Sequence, residues 1–367
     1  MKHIVQVLTD TNIGGAGRYL LNYLKYFDRT AFRVTVILPE GSKLSACIKA
    51  EDSLSLIEAP FMADCSYDKR CVKYLRTLFA KIQPDLLHTH ACLSARIAGR
   101  RAGVPVILAT RHCIEPLPHG IKALATSFLN NALCDYYIAI ADAVKENLLA
   151  CGIHADKIKT VYNGVDAVQQ LAEEEKLAVR SLYGILPDEI VFGMFGRLEP
   201  VKGHKYFIKA ARQLLKENLP AKFLIVGTGS LEQELKERVS RYGLDKSFIF
   251  TGFVPNTQEL LNITDVHVNA SESEAMSLSV LEAMSLSKPS VATKCGGNTE
   301  LIHDVSDGML VGYADSASLA LSMSQLLHDK SMRERMGRNA GEKFTKHYTA
   351  KIMVTNLEAL YKEVMTK

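Results

Sequence analysis

Two glutamates, Glu274 and Glu282, flank an apolar run in the stretch 269–284. Leu278, Val280, Leu281, Ala283 and Met284 lie between or beside them. Such a run reads as the first turns of a buried helix, where a carboxylate is costly unless something uses it. Ser277 and Ser279 are placed to cap the start of that helix, whose unpaired N–H groups favour an anion. The segment thus offers carboxylates to sugar hydroxyls and a helix end to phosphate, as a nucleotide-sugar site requires. The alternative is a capping role for Glu274 and a surface position for Glu282.

A second constellation is Gly196-Arg197, followed after four residues by Lys202-Gly203-His204, directly behind the apolar run 190–195. Arg can grip a phosphate in bidentate fashion while Lys acts as a point charge. Two glycine-framed cations after a buried strand outweigh lone surface cations as a signal. A third is Gly14-Gly15-Ala16-Gly17, where the backbone could approach a ligand closely at a helix start or simply pack a tight turn. The spacing is not Gly-x-Gly-x-x-Gly and no acidic residue closes the second strand, so a dinucleotide site is not expected. His88, His90 and His112 end strand candidates. A strand-end histidine is more often structural, but His112 precedes an irregular stretch with Pro116 and Pro118, so it is expected to face the site.

These residues need elements to hold them. Strands are expected at 2–8, 33–38, 86–89, 106–110 and 137–140, with helices at 17–27, 71–82 and 141–150. The second half repeats the alternation, with strands at 190–195, 222–226, 248–250, 266–269 and 290–293, and helices at 204–217, 231–242, 278–286 and 316–328. Alternation of this kind predicts parallel sheets with crossover helices, and its repetition predicts two Rossmann-like, doubly wound α/β domains facing each other across a cleft. The expected division is 1–165 as an N-terminal, acceptor-side domain, 166–188 as linker, and 189–349 as the nucleotide-sugar domain. A last helix within 350–367 could pack back on the first domain. Ligands of open parallel sheets bind beyond the carboxyl ends of the strands, where the distinctive residues fall.

At 367 residues, 47% hydrophobic and 23% charged, the chain has the size and composition of two globular domains. Its eight cysteines show no Cys-x-x-Cys, which argues for reduced, scattered thiols in a cytoplasmic protein. No Asp-x-Asp is present either, so no metal is expected. No run of about 18 apolar residues exists, so any membrane contact must be peripheral. Residues 1–166 carry 20 Lys and Arg against 15 Asp and Glu, a mild excess that could face an acidic acceptor or an anionic surface, or mean nothing. No nucleic-acid partner is expected.

Together, Gly14-Gly15, His112, Asn163-Gly-Val-Asp166, Gly196-Arg197, Lys202-Gly203, Glu274 and Glu282 recur in the order of a known family. So do Val226-Gly-Thr-Gly229, Phe250-Thr-Gly252 and Gly296-Gly297-x-x-Glu300. The chain resembles the retaining glycosyltransferases of the GT-B fold often called glycosyltransferase family four. The resemblance implies that Arg197 and Lys202 neutralise the donor diphosphate, with backbone N–H groups of Ser277 and Leu278 on the distal phosphate. It implies that Glu282 binds ribose hydroxyls and Glu274 the donor sugar, and that Phe253 and Val254 line the base pocket. Gly14 and Gly15 would lie against the diphosphate, and His112 would touch the sugar near the reacting centre. Gly17, Ala141, Ala275 and Ser287 depart from residues common in the family, which leaves the donor sugar open.

The expected activity is transfer of a hexose from a nucleoside-diphosphate sugar, UDP-linked by preference, to a glycan or lipid-linked acceptor in cell-surface polysaccharide synthesis. No cofactor beyond that donor is expected. A sugar-nucleotide epimerase on the same two-domain plan is the alternative. The basic helix 71–82 could rest on the inner face of the plasma membrane, or be an ordinary amphipathic helix of the first domain.

Overall fold

The short β-branched runs become two all-parallel sheets in the computed structural model, which describes residues 1–217 and 220–366. The first unit comprises Met1–Gly164 with Ala350–Lys367. In chain order it contains β1 (Lys2–Leu8), α1 (Gly15–Tyr26), β2 (Phe32–Pro39), β3 (Leu54–Ala59), α2 (Lys69–Ile82), β4 (Leu86–His90) and α3 (Leu93–Ala102). Then follow β5 (Val106–Arg111), α4 (Gly120–Leu133), β6 (Tyr136–Ala139), α5 (Asp142–Ala150) and β7 (Ile158–Thr160). The strand order is β3-β2-β1-β4-β5-β6-β7. β1 is an interior strand, with Ile4 beside Val34 on one side and Leu86 on the other. Ile4, Val5 and Val7 are wholly buried, as expected of a strand covered by helices on both faces.

The second unit, Val165–Thr349, has its own sheet and core. It contains α6 (Glu173–Leu182), β8 (Ile190–Phe195), α7 (His204–Leu214), β9 (Ala221–Val226), α8 (Glu232–Arg241), β10 (Phe248–Gly252) and α9 (Gln258–Ile263). It continues with β11 (Val266–Asn269), α10 (Leu278–Ser285), β12 (Ser290–Thr293), α11 (Asn298–Leu301), β13 (Gly308–Val311), α12 (Ser316–His328) and α13 (Lys330–His347). The order is β10-β9-β8-β11-β12-β13. Aromatic stacking anchors one side of the sheet: Phe223 lies 5.0 Å from Phe248 and 5.7 Å from Phe192, centroid to centroid.

Residues 166–188, expected as linker, fall in the second unit. Leu171 N–H donates to Asn262 Oδ1 (2.9 Å), and Ala172 N–H to Glu175 Oε2 (2.8 Å), which ties down the start of α6. The last helix, α14 (Ala350–Met365), belongs to the first unit and packs on α1. It buries Met353, Val354, Leu357, Leu360 and Tyr361, and its Glu358 accepts from Asp28 N–H at 2.8 Å. Lys367, the end of the expected 350–367 segment, lies outside the described residues.

All eight cysteines are free thiols. The apolar face of α2 is taken up by the fold: Cys71, Val72, Leu75 and Phe79 are buried, so that face is not available to lipid. Exposed apolar side chains occur instead on α4, where Ile121, Leu124 and Phe128 are each at least 75% exposed. Among the described residues no helix is long and apolar enough to cross a membrane.

Candidate functional site

In each sheet the strand order reverses once, between β1 and β4 in the first unit and between β8 and β11 in the second. At such a point neighbouring crossovers run to opposite faces and leave a crevice beyond the strand ends. The charged residues singled out in the sequence collect at the second of these points. Arg197 follows β8, Lys202 ends a short turn of helix at Pro200–Lys202, and Glu274 lies in the loop between β11 and α10.

Gly203 is what lets this loop approach β11. Its φ is +74°, and a Cβ there would sit 2.0 Å from the Ala270 carbonyl oxygen. Gly297 plays the matching part after β12, where a Cβ would meet the Ala275 carbonyl at 2.2 Å. Its N–H donates to the Glu274 carbonyl (3.1 Å), and Glu272 N–H donates to Val201 O (2.7 Å). Three loops are thereby fastened into one rim.

Within that rim Lys202 Nζ and Glu274 Oε1 form an ion pair of 2.7 Å. Ser271 Oγ donates to the same oxygen at 2.7 Å and Asn269 Nδ2 at 3.1 Å. Glu274 is buried, and all three donors fall on Oε1; among the described residues none donates to Oε2. The carboxylate is thus fixed by one oxygen, and the other can accept from a ligand hydroxyl. Arg197 is exposed. Neighbouring Glu199 is held by the Ser230 hydroxyl (2.7 Å) and N–H (3.1 Å). Those bonds, with a smaller contribution from Arg197, keep the Glu199 carboxyl below its usual range.

Ser277 stands at the N-cap of α10, as expected, but its side chain makes no capping bond. Its hydroxyl accepts from Asn269 Nδ2 (3.1 Å) and meets Ser279 Oγ at 3.2 Å. The capping expected of the two serines is therefore corrected: Asn269 claims Ser277, and the N-cap side chain makes no bond to the helix start at Leu278. A helix end of this kind suits an anion. Glu282 lies half-buried one turn on. Phe253 and Val254 follow β10, with Phe253 73% exposed.

In the first unit Gly14 and Gly15 are exposed at the start of α1, which has no side-chain cap. Gly17 serves packing, since a Cβ there would press on Leu44 at 3.1 Å. His112, just past β5, is half-buried and its Nε2 lies 2.8 Å from His90 Nδ1. Loss of hydration pushes His112 down to about 3, so the ring is neutral at pH 7.

Sequence reasoning missed Asn269 and Ser271, the residues that orient Glu274, although both stand in the motif. It also missed Gln6 and Tyr361, which reach the histidines from β1 and α14. Among the described residues no cluster of three or more His, Cys, Asp or Glu side chains is arranged to hold a metal ion.

Two family models match the chain: Glycosyltransferase Family 4 over residues 13–169 and Glycosyl transferases group 1 over 176–343. A 2-deoxystreptamine glucosyltransferase of Streptomyces kanamyceticus is 30% identical, covering 78% of this chain and 80% of its own. The UDP-Gal:alpha-D-GlcNAc-diphosphoundecaprenol alpha-1,3-galactosyltransferase of Escherichia coli is 27% identical, covering 95% of this chain and 94% of its own. Anabaena HepE, solved in complex with UDP, superposes with a TM-score of 0.85 at 21% identity, over 99% of this chain and all of that one. These likenesses to transferases do not favour the epimerase. The chain belongs to glycosyltransferase family 4, the glycosyl transferases group 1, and has the paired Rossmann-like domains of the GT-B fold.

Proposed function

We propose that this glycosyltransferase moves a hexose from a UDP-sugar to a glycan or lipid-linked acceptor with retention at the anomeric carbon, and needs no metal ion. The observation that carries the reading is the second unit's rim. It joins two cations, an uncapped helix start and a carboxylate whose three protein donors all fall on one oxygen. Arg197, Lys202 and the N–H groups at Ser277 and Leu278 are assigned to the diphosphate. Glu274 takes donor-sugar hydroxyls, Glu282 the ribose, and Phe253 and Val254 the base. In the first unit, Gly14 and Gly15 are assigned to the diphosphate and His112 to the transferred sugar.

The bond from the anomeric carbon to the diphosphate breaks and one to the acceptor oxygen forms on the same face. The acceptor's proton passes to the departing phosphate oxygen. Charge growing on that leaving group is met by groups already in place, which is where preorganised cations contribute most. The UDP donor is supported by the names of two relatives, a transferase that uses UDP-Gal and a HepE crystallised with UDP-glucose. Incubation with UDP-hexoses and EDTA, with a diphospholipid-linked sugar as acceptor, is expected to give a retained glycoside and free UDP. Inactivity restored only by divalent ions, or an inverted product, would overturn this reading.

The E. coli relative acts on a diphosphoundecaprenol-linked sugar by its name, and α4 is a suitable resting face for a protein serving such an acceptor at the inner face of the plasma membrane. Ile121, Leu124 and Phe128 point outward at helical spacing beside a single charge, Lys122. Flotation with vesicles containing anionic lipid is expected to carry the protein upward. Leu124→Asp with Phe128→Asp should leave it at the bottom while it stays folded; co-flotation of that variant would remove α4 from the account.

A further inference from the structure

Six polar side chains of the first unit form one unbroken chain of hydrogen bonds through its interior. Thr110 Oγ1 meets His88 Nε2 at 2.6 Å, and His88 Nδ1 meets the Tyr361 hydroxyl at 2.6 Å. Gln6 Nε2 donates to that hydroxyl at 2.8 Å, while Gln6 Oε1 meets His90 Nε2 at 3.0 Å. His90 Nδ1 meets His112 Nε2 at 2.8 Å. All but half-buried His112 are almost wholly shielded from water. Tyr19 is set edge-on to His90 and His112, at 5.6 and 5.1 Å, and keeps the two rings in place.

A neutral imidazole has one donor nitrogen and one acceptor, so the protons along such a chain are not independent. Gln6 gives its N–H to Tyr361, which leaves the Tyr361 proton for its other partner, His88 Nδ1, with His88 Nε2–H on Thr110. In the other direction Gln6 Oε1 can only accept, so His90 carries its proton on Nε2. His90 Nδ1 is then an acceptor, and the nitrogen facing it, His112 Nε2, must bear hydrogen. His112 Nδ1 is left as a lone pair, with no hydrogen bond from any described residue. Burial keeps His88 and His112 near 3 and His90 well below its ordinary value, so all three are neutral at pH 7.

We propose that Gln6, His90 and Tyr361 are positioning residues that hold His112 as its Nε2–H tautomer and present its Nδ1 as a hydrogen-bond acceptor to a sugar hydroxyl. The assignment of the sugar to His112 rests on the function proposed above; the tautomer does not. Turning the Gln6 amide over would reverse every proton in the chain and make His112 Nδ1 a donor. In the observed arrangement the Tyr361 hydrogen goes to His88, which enters the chain from β4 and is anchored on Thr110 of β5.

The test is nitrogen NMR of the full chain labelled with ¹⁵N-histidine at pH 7, without donor or acceptor, so that it reads the network separately from the transferase assignment. His112→Asn identifies the ring signals by their loss. The wild type is expected to show His112 with a protonated Nε2 and a bare Nδ1. Tyr361→Phe keeps the ring but frees the amide, and Gln6→Met keeps the length without an amide. In whichever of these circular dichroism shows to be folded, His112 should become a mixture of both tautomers. Turnover should fall about tenfold, the worth of one ordinary hydrogen bond. A wild-type His112 protonated on Nδ1 overturns the proposal, even if neither variant folds. So does a His112 pattern unchanged in a folded variant.

Discussion

Arg197→Ala is expected to cut glycosyl transfer by about 10²–10³-fold while leaving the melting temperature unchanged. Lys202→Ala is expected to cost as much in turnover and to lower stability as well. The first half of each expectation follows from chemistry: a preorganised cation lost from beside a developing charge costs about 3–4 kcal/mol of transition-state stabilisation. The difference in stability follows from the surroundings. Arg197 is exposed after β8, and its loss leaves no buried group unpaired. Lys202 is the counter-ion of buried Glu274 at 2.7 Å, and without it that carboxylate keeps, among the described residues, Ser271 and Asn269. Leaving a buried polar group short of a partner costs about 1–3 kcal/mol, or about 2–4 °C per kcal/mol for a unit of this size. Product formation followed alongside thermal melts of both variants checks the pair of statements. Full activity in either removes that cation from the diphosphate assignment, and identical melts would contradict the role given to the ion pair.

Glu274→Gln should be folded and markedly slower. The amide oxygen can take the place of Oε1 and still accept from Ser271 and Asn269, so the loop holds its shape. What changes is the other arm, where an N–H replaces the oxygen assigned to the sugar. A hydroxyl that donated there now meets another donor, and the negative charge is gone. Hydrogen bonds to charged groups are worth about 1.5–3 kcal/mol, which puts the loss in kcat/KM at about 10–10². Glu274→Asp should not recover it, because the shorter side chain draws the carboxylate back from both its anchors and the ligand. Normal kcat/KM for Glu274→Gln would show that Glu274 serves only to anchor Lys202.

Most of the fold was legible because a doubly wound sheet writes its strands as short runs rich in β-branched and apolar residues. β1, β2, β4, β5, β8, β9, β11 and β12 all carry that signal. The elements that escaped are those without it. β3 is an edge strand with only its two end residues buried, β7 has three residues, and β13 opens on a glycine. α13 is missed for the opposite reason: its 18 residues are largely charged, and it is held by a narrow stripe of Met336, Gly337, Ala340 and Phe344. At the site, Arg197, Lys202 and Glu274 could be picked out one by one from their places after strands. Their pairing could not, since Lys202 and Glu274 are 72 positions apart and only the sheet order brings β8 beside β11. The histidine relay was hidden in the same way: Gln6 and Tyr361 are 355 residues apart and neither looks reactive alone.

The return of α14 to the first unit has a consequence for biosynthesis. A ribosome delivers the second unit as one uninterrupted segment, which can close on itself as soon as it has emerged. The first unit cannot finish until everything in between has been made, because Leu357 and Tyr361 complete an interior begun at Ile4. Nascent chains stalled before position 350 should therefore hold a mature C-terminal lobe beside an immature partner with an open seam, and it is there that chaperones would bind.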